Sequence, residues 1–202
     1  MKKTLLLLLL CSNIVLAQDK SENIKAAFAE SYANEYQLKY DDAIKNLVTV
    51  YDANSYEINM RLGWLSYSKQ NYADALVYYK KASALMPLSI DAKLGLIYPY
   101  SAQNNWDAVR ATYIDILKID PKNSNANYNL GLSYYYANKL AEAEKCFQVV
   151  VNLYPMDYNS LLMLAWTYYK QNRMREAKIM FNKVLLVQPS DASALEGLGL
   201  IK

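Results

Sequence analysis

The sequence predicts an all-α protein made of stacked helix–turn–helix repeats, and three sets of residues carry that prediction. Pro87, Pro121, Pro155 and Pro189 recur at a constant step of 34 residues. Leu62, Leu96, Leu130, Leu164 and Leu198 keep the same step, and so do Tyr79, Tyr113, Phe147 and Phe181. A strict period of this length marks supersecondary units that stack on one another rather than a single irregular core.

Each element follows from local chemistry. Ile24, Phe28, Tyr32 and Tyr36, at four-residue spacing, form one face of a first helix over about 21–37. Tyr40, Ala43, Leu47 and Val50 mark a second helix over about 40–53, and Asn54-Ser55 takes the turn that follows. Helix pairs are then expected at about 56–69 and 72–85, 90–103 and 106–119, 124–137 and 140–153, and 158–171 and 174–187. Proline ends each of these pairs because it lacks a backbone donor and clashes with a continuing helix. Asp191-Ala192 starts a last short helix over about 192–200, which carries Leu195, Leu198 and Gly199.

Two small-residue columns accompany the large ones. Gly63, Gly131, Ala165 and Gly199 follow the leucines, with Ile97 the exception, and Ala75, Ala143 and Ala177 form the second column, interrupted by Val109. Tyr72, Trp106, Leu140 and Met174 precede the second column by three residues. Small residues let helices approach where rings fill the opposite space, so these columns are read as core packing.

Segments such as Leu130-Gly131-Leu132-Ser133-Tyr134-Tyr135, followed by Ala143, Phe147, Val150 and Pro155, closely resemble the tetratricopeptide repeat family. The resemblance implies two antiparallel helices per repeat, stacked as a right-handed α-solenoid, and a general role in binding proteins or peptides. The organisation expected is a signal peptide at 1–17, a degenerate first repeat at 18–55, four repeats at 56–89, 90–123, 124–157 and 158–191, and a truncated capping helix at 192–202.

Residues 1–17 read as a targeting segment. Lys2 and Lys3 give the positive start, Leu5 to Leu10 the apolar run, and Val15-Leu16-Ala17 a small-residue cleavage site before Gln18. The run is too short and too polar around Ser12-Asn13 to span a bilayer. Lipid anchoring through Cys11 is not expected, because Leu10 stands where lipoprotein signals place a small residue. A periplasmic or secreted protein follows. Cys146 is then the single cysteine of the mature chain, without a partner for an internal disulfide, and is expected to serve as a small hydrophobe.

Composition argues against several functions. The chain has no histidine, which removes the commonest general acid–base and the commonest transition-metal ligand. It has five glycines and no glycine-rich phosphate loop. The net charge of +3 falls to about +1 without Lys2 and Lys3, and no basic run suggests nucleic acid. Asp41-Asp42 and Glu142/Glu144 lie at the starts of second helices, where they favourably meet the helix dipole. No enzyme activity, metal or cofactor is expected.

The candidate binding surface is a stripe on the first helices. Residues spaced four then three lie on one face: Met60, Trp64 and Tyr67; Leu94, Tyr98 and Ser101; Tyr128, Leu132 and Tyr135; Leu162, Trp166 and Tyr169. In proteins of the resembled family this stripe lines a concave groove. None of the twelve is charged and seven are aromatic, which departs from members that clamp a C-terminal carboxylate with Lys, Arg and Asn. An apolar or aromatic peptide suits such a surface, and salt should affect its binding little. The charged residues Lys170, Arg173 and Arg175 are assigned to turns away from the stripe. The expected partner is a protein or peptide of unknown identity. The alternative is a structural subunit of an envelope or secretion assembly that self-associates or docks through its ends.

Overall fold

Helix ends in this protein are set by two recurring turns, and both are visible in the computed structural model, which describes residues 20–201. The helices are α1 (20–36), α2 (Tyr40–Val48), α3 (Tyr56–Ser68), α4 (Tyr72–Leu85), α5 (Ile90–Ala102) and α6 (Trp106–Ile119). They continue with α7 (Ser124–Tyr136), α8 (Leu140–Leu153), α9 (Tyr158–Lys170), α10 (Met174–Val187) and α11 (Ala192–Leu200). Among the described residues all regular structure is helical, and consecutive helices pack as pairs, so the chain is an all-α helical-repeat solenoid. The targeting segment expected at 1–17, with Cys11, lies outside the described residues.

The turn inside each repeat uses a left-handed residue. Leu38, Gln70, Asn104, Asn138 and Asn172 all have φ near +60°, between 56° and 66°. Asparagine tolerates this conformation better than other residues with a side chain, which accounts for three of the five. The turn between repeats ends in a side-chain cap. Ser55, Ser89, Asn123, Asp157 and Asp191 each accept a hydrogen bond from the backbone N–H three residues on. Such caps satisfy a donor that the first helical turn leaves unpaired. Asn59 and Asn127 reinforce two of these turns from inside, each donating its amide to two carbonyls of the preceding turn.

α2 departs from expectation. It ends at Val48 rather than near 53. Val48, Thr49 and Val50 are consecutive β-branched residues, which lose side-chain freedom in a helix. Thr49 Oγ1 donates to the Asn46 carbonyl at 2.6 Å, and the Val50 and Tyr51 amides close tighter three-residue turns. α5 shows the opposite behaviour, since it runs through Pro99. The missing donor lies opposite the Gly95 carbonyl, and the helix that continues past the proline packs against α3 and α4.

The chain divides into two compact units, the first through Asn105 and the second from Trp106. In the first unit Ala43, Leu47, Ile58, Leu62 and Leu65 form a buried cluster. In the second unit Ala143, Phe147, Leu161, Leu164, Ala177, Phe181 and Val184 do so. The aromatic column is core throughout: Tyr79, Tyr113, Phe147 and Phe181 are all buried.

The small-residue column needs one correction. A Cβ on Gly63 would lie 2.8 Å from the Tyr79 ring, and one on Gly131 would lie 2.7 Å from Phe147. A Cβ on Gly199 would meet nothing within 4 Å. Gly199 holds the same place on its helix, but no second helix follows α11 among the described residues to supply the ring. A different pair makes the closest approaches: a Cβ on Gly95 would be 2.4 Å from Tyr79, and one on Gly197 would be 2.2 Å from Phe181. Tyr79 and Phe181 are therefore each gripped by the first helix of the next repeat. Gly131→Leu is expected to cost about 1–3 kcal/mol by overpacking, and Gly199→Leu less than about 0.5 kcal/mol. Urea melts of the two variants check this, and equal losses would show that Gly131 is not at a close crossing.

Candidate functional site

The stripe residues are spread over four helices, and each unit presents its own part. In the first unit α3 carries Met60, Trp64 and Tyr67, and α5 carries Leu94, Tyr98 and Ser101. Their rings gather. Tyr67 and Tyr98 have centroids 5.4 Å apart, Trp64 meets Tyr98 edge-on at 6.3 Å, and Tyr67 also meets Tyr72 at 5.9 Å. Offset and edge-on contacts of this kind stabilise the cluster beyond simple area burial. The cluster is not closed over, because Trp64 is 40% exposed and Tyr98 48% exposed. Met60, Tyr67, Leu94 and Ser101 are half-buried.

One edge of this cluster is polar. Glu35 on α1 accepts hydrogen bonds from Trp64 Nε1 and pairs with Arg61 Nη1 at 2.6 Å. Arg61 is 7% exposed and stacks on the Tyr32 ring at 3.8 Å. Its Nε and Nη2 have no hydrogen-bond partner among the described residues. Arg61 stands at the repeat position that Gly95 and Gly197 occupy elsewhere. The same position holds Asn129 and Met163 in two further repeats. The sequence gives no signal for Arg61, because four residue types occupy its column of five.

In the second unit the stripe sits deeper. Tyr128, Leu132 and Tyr135 on α7, and Leu162, Trp166 and Tyr169 on α9, are half-buried and pack on the Phe147 and Phe181 core. Trp166 meets Phe181 edge-on at 5.0 Å and Tyr169 at 5.6 Å, and its Nε1 donates to Ser193 Oγ on α11 at 2.9 Å. Burial raises the phenol pKa of Tyr128 and Tyr135 above the usual range, so both stay neutral donors. A cavity of about 540 Å³ opens against α9, and Tyr135, Leu162, Trp166 and Tyr169 all reach it.

Of the three charged residues assigned to turns, Arg175 lies within α10 and only Arg173 caps a helix from outside, while Lys170 ends α9. Arg173 is committed within the second unit: it donates to Glu144 at 2.7 Å and to Glu176 at 3.0 Å, and lies 4.3 Å over the Tyr168 ring. These bonds push its pKa further up, with the Glu144 hydrogen bond the largest cause. Glu144 is accordingly a cross-helix partner of Arg173 and Gln171, beyond any effect on the dipole of α8. Lys170 is the other case. It is the last residue of α9 and lines the same cavity as Trp166.

Cys146 is buried as expected, and burial, with Glu142 nearby, pushes its thiol up to about 11. Among the described residues no helix is long and apolar enough to cross a membrane.

A helical-repeat solenoid with aromatic residues on its first helices defines a class of protein-interaction scaffolds. Tetratricopeptide repeat models match residues 28–87, 66–127, 124–157 and 158–191, and together they span most of the chain. The chain belongs to the tetratricopeptide repeat family. No curated protein sequence matches it significantly. Among solved structures it is similar to a tetratricopeptide repeat protein from Parabacteroides merdae, with 18% identity and a TM-score of 0.73 over 87% of this chain and 71% of that one. It is similar to a MamA protein, with 20% identity and a TM-score of 0.71 over 85% of this chain and 95% of that one. It is also similar to MamA from Desulfovibrio magneticus, with 18% identity and a TM-score of 0.68 over 84% and 97%. At these identities the likeness establishes the fold alone.

Proposed function

We propose that this chain is an exported, non-enzymatic adaptor or assembly factor that binds a peptide or extended protein segment on the aromatic stripe of its first helices. The observation that carries the reading is the exposure of Trp64 and Tyr98. Two large rings in one cluster keep 40% and 48% of their surface in water. Phe147 and Phe181, which serve packing, are by contrast completely covered. Tyrosine and tryptophan join large contact area to a polar tip, which suits a partner surface. Export rests on Lys2, Lys3, the Leu5–Leu10 run and the Val15-Leu16-Ala17 site, and the compartment proposed is the periplasm of a Gram-negative bacterium.

A photo-crosslinking residue placed at Tyr98 or Leu162 in living cells tests the reading. One protein partner should be captured from both positions, and none from Lys145 or Lys183 on exposed parts of second helices. The same preparation reports the native N-terminus, expected at Gln18. Capture only from Lys145 and Lys183 would overturn the stripe. Crosslinks to a second copy, confined to residues of α1 or α11, would favour a self-associating structural subunit. An acylated Cys11 as first residue would replace a free periplasmic protein with a membrane-anchored one.

A further inference from the structure

The cavity of the second unit holds a charge that the stripe lacks. Leu162, Met163, Trp166 and Tyr169 give it apolar and aromatic walls, and Lys170 is the charged residue among those that line it. The Lys170 ammonium lies 4.0 Å from the Tyr135 ring centroid, a cation–π contact that holds it at the cavity wall. Lys170 is exposed, and among the described residues no carboxylate pairs with it. Glu144, which also accepts from Gln171 next along the chain, and Glu176 are taken by Arg173.

The same geometry argues against a cationic guest. An aromatic box ordinarily receives an ammonium group, but the Tyr135 face is already covered by the protein's own lysine. A second cation would meet like charge. The complementary guest is an anion beside an apolar group, since burial of the apolar part near Trp166 strengthens an ion pair at its edge.

We propose that this cavity takes a partner segment in which an Asp or Glu side chain lies next to Leu, Phe or Tyr. The carboxylate pairs with Lys170 while the apolar neighbour fills the space between Leu162, Met163 and Trp166. A side-chain carboxylate is the source, because one ammonium makes a point contact and no Arg or Asn lines the cavity to hold a chain terminus in a fork. The inference rests on the stripe being the binding surface.

The test is selection from a randomised peptide library, N-acetylated and C-amidated, against the full chain, with a free-acid library in parallel. The protein should enrich Asp or Glu beside Leu, Phe or Tyr. Lys170→Gln should reduce the acidic preference about fivefold, the upper range for a partly solvated ion pair, and keep the apolar preference. Lys170→Arg should retain both. Raising salt from about 0.05 to about 0.5 M should erase most of the acidic preference. Tyr136→Ala, at a lining residue that is 78% exposed, should weaken all enrichment without unfolding the protein. Apolar enrichment without acid, an acidic preference that survives in Lys170→Gln, or a preference for the free-acid library would overturn this inference and leave the stripe standing. Enrichment unaffected by Tyr136→Ala and by Leu162→Ala would overturn this inference, and enrichment of nothing, or enrichment unaffected by Trp64→Ala as well, would overturn both.

Discussion

Phe181→Ala is expected to cost about 3–5 kcal/mol in a urea melt, the range for deleting a fully buried ring. That is a large fraction of the roughly 5–15 kcal/mol that holds a domain folded. Phe181 is completely buried and joins three helices. It belongs to α10, meets Trp166 of α9 edge-on at 5.0 Å, and lies against α11 where a Cβ on Gly197 would come within 2.2 Å. α11 has nine residues, too few for a helix to persist without packing. Loss of the ring should therefore free α11 first, so amides of 192–200 should exchange faster than those of α9. The partner change is Gly197→Ala, whose methyl group collides with the ring. In a double-mutant cycle the collision disappears once Phe181 is alanine, so the two changes should couple by about 1–3 kcal/mol. Strict additivity would mean that ring and glycine do not meet.

This pair also shows what the sequence could reveal. The ring column was legible because every member is aromatic and sits at one step. The glycines that grip Tyr79 and Phe181 from the next repeat were not, since their column reads Arg61, Gly95, Asn129, Met163 and Gly197. Glycine recurs there only twice, at the two places where a Cβ would collide with the ring. Helix starts were legible from proline and cap residues. The end of α2 was missed because three β-branched residues outweighed the periodic pattern of Tyr40, Ala43 and Leu47. The stripe itself was legible from its four-then-three spacing. Its depth was not: the same spacing leaves Trp64 exposed and sets Trp166 against Phe181. Lys170 reads with Arg173 and Arg175 as part of a charged turn. It is nevertheless four residues from Trp166, one helical turn along the same face, and that spacing could have placed it in the cavity.

Trp64→Ala should weaken binding of the crosslinked partner by about 2 kcal/mol or more, roughly thirtyfold, as aromatic anchors do at hot spots. Stability should fall less. Trp64 is 40% exposed, and its hydrogen-bond acceptor Glu35 stays paired with Arg61 when the indole is removed. Trp166→Ala separates the two effects from the other side. Its ring abuts Phe181 and its Nε1 holds Ser193, so this variant should lose both affinity and stability. Salt gives a second axis. The charges beside Trp64 are Arg61 and Glu35, already bonded to each other, so the loss caused by Trp64→Ala should be the same at low and high ionic strength. Affinity contributed through Lys170 should instead decline as salt rises. Calorimetry of both variants against that partner, at two salt concentrations and with urea melts alongside, reads all of these at once. Unchanged affinity for Trp64→Ala with a full loss of stability would show that the ring is core, and that the partner binds elsewhere on the repeats.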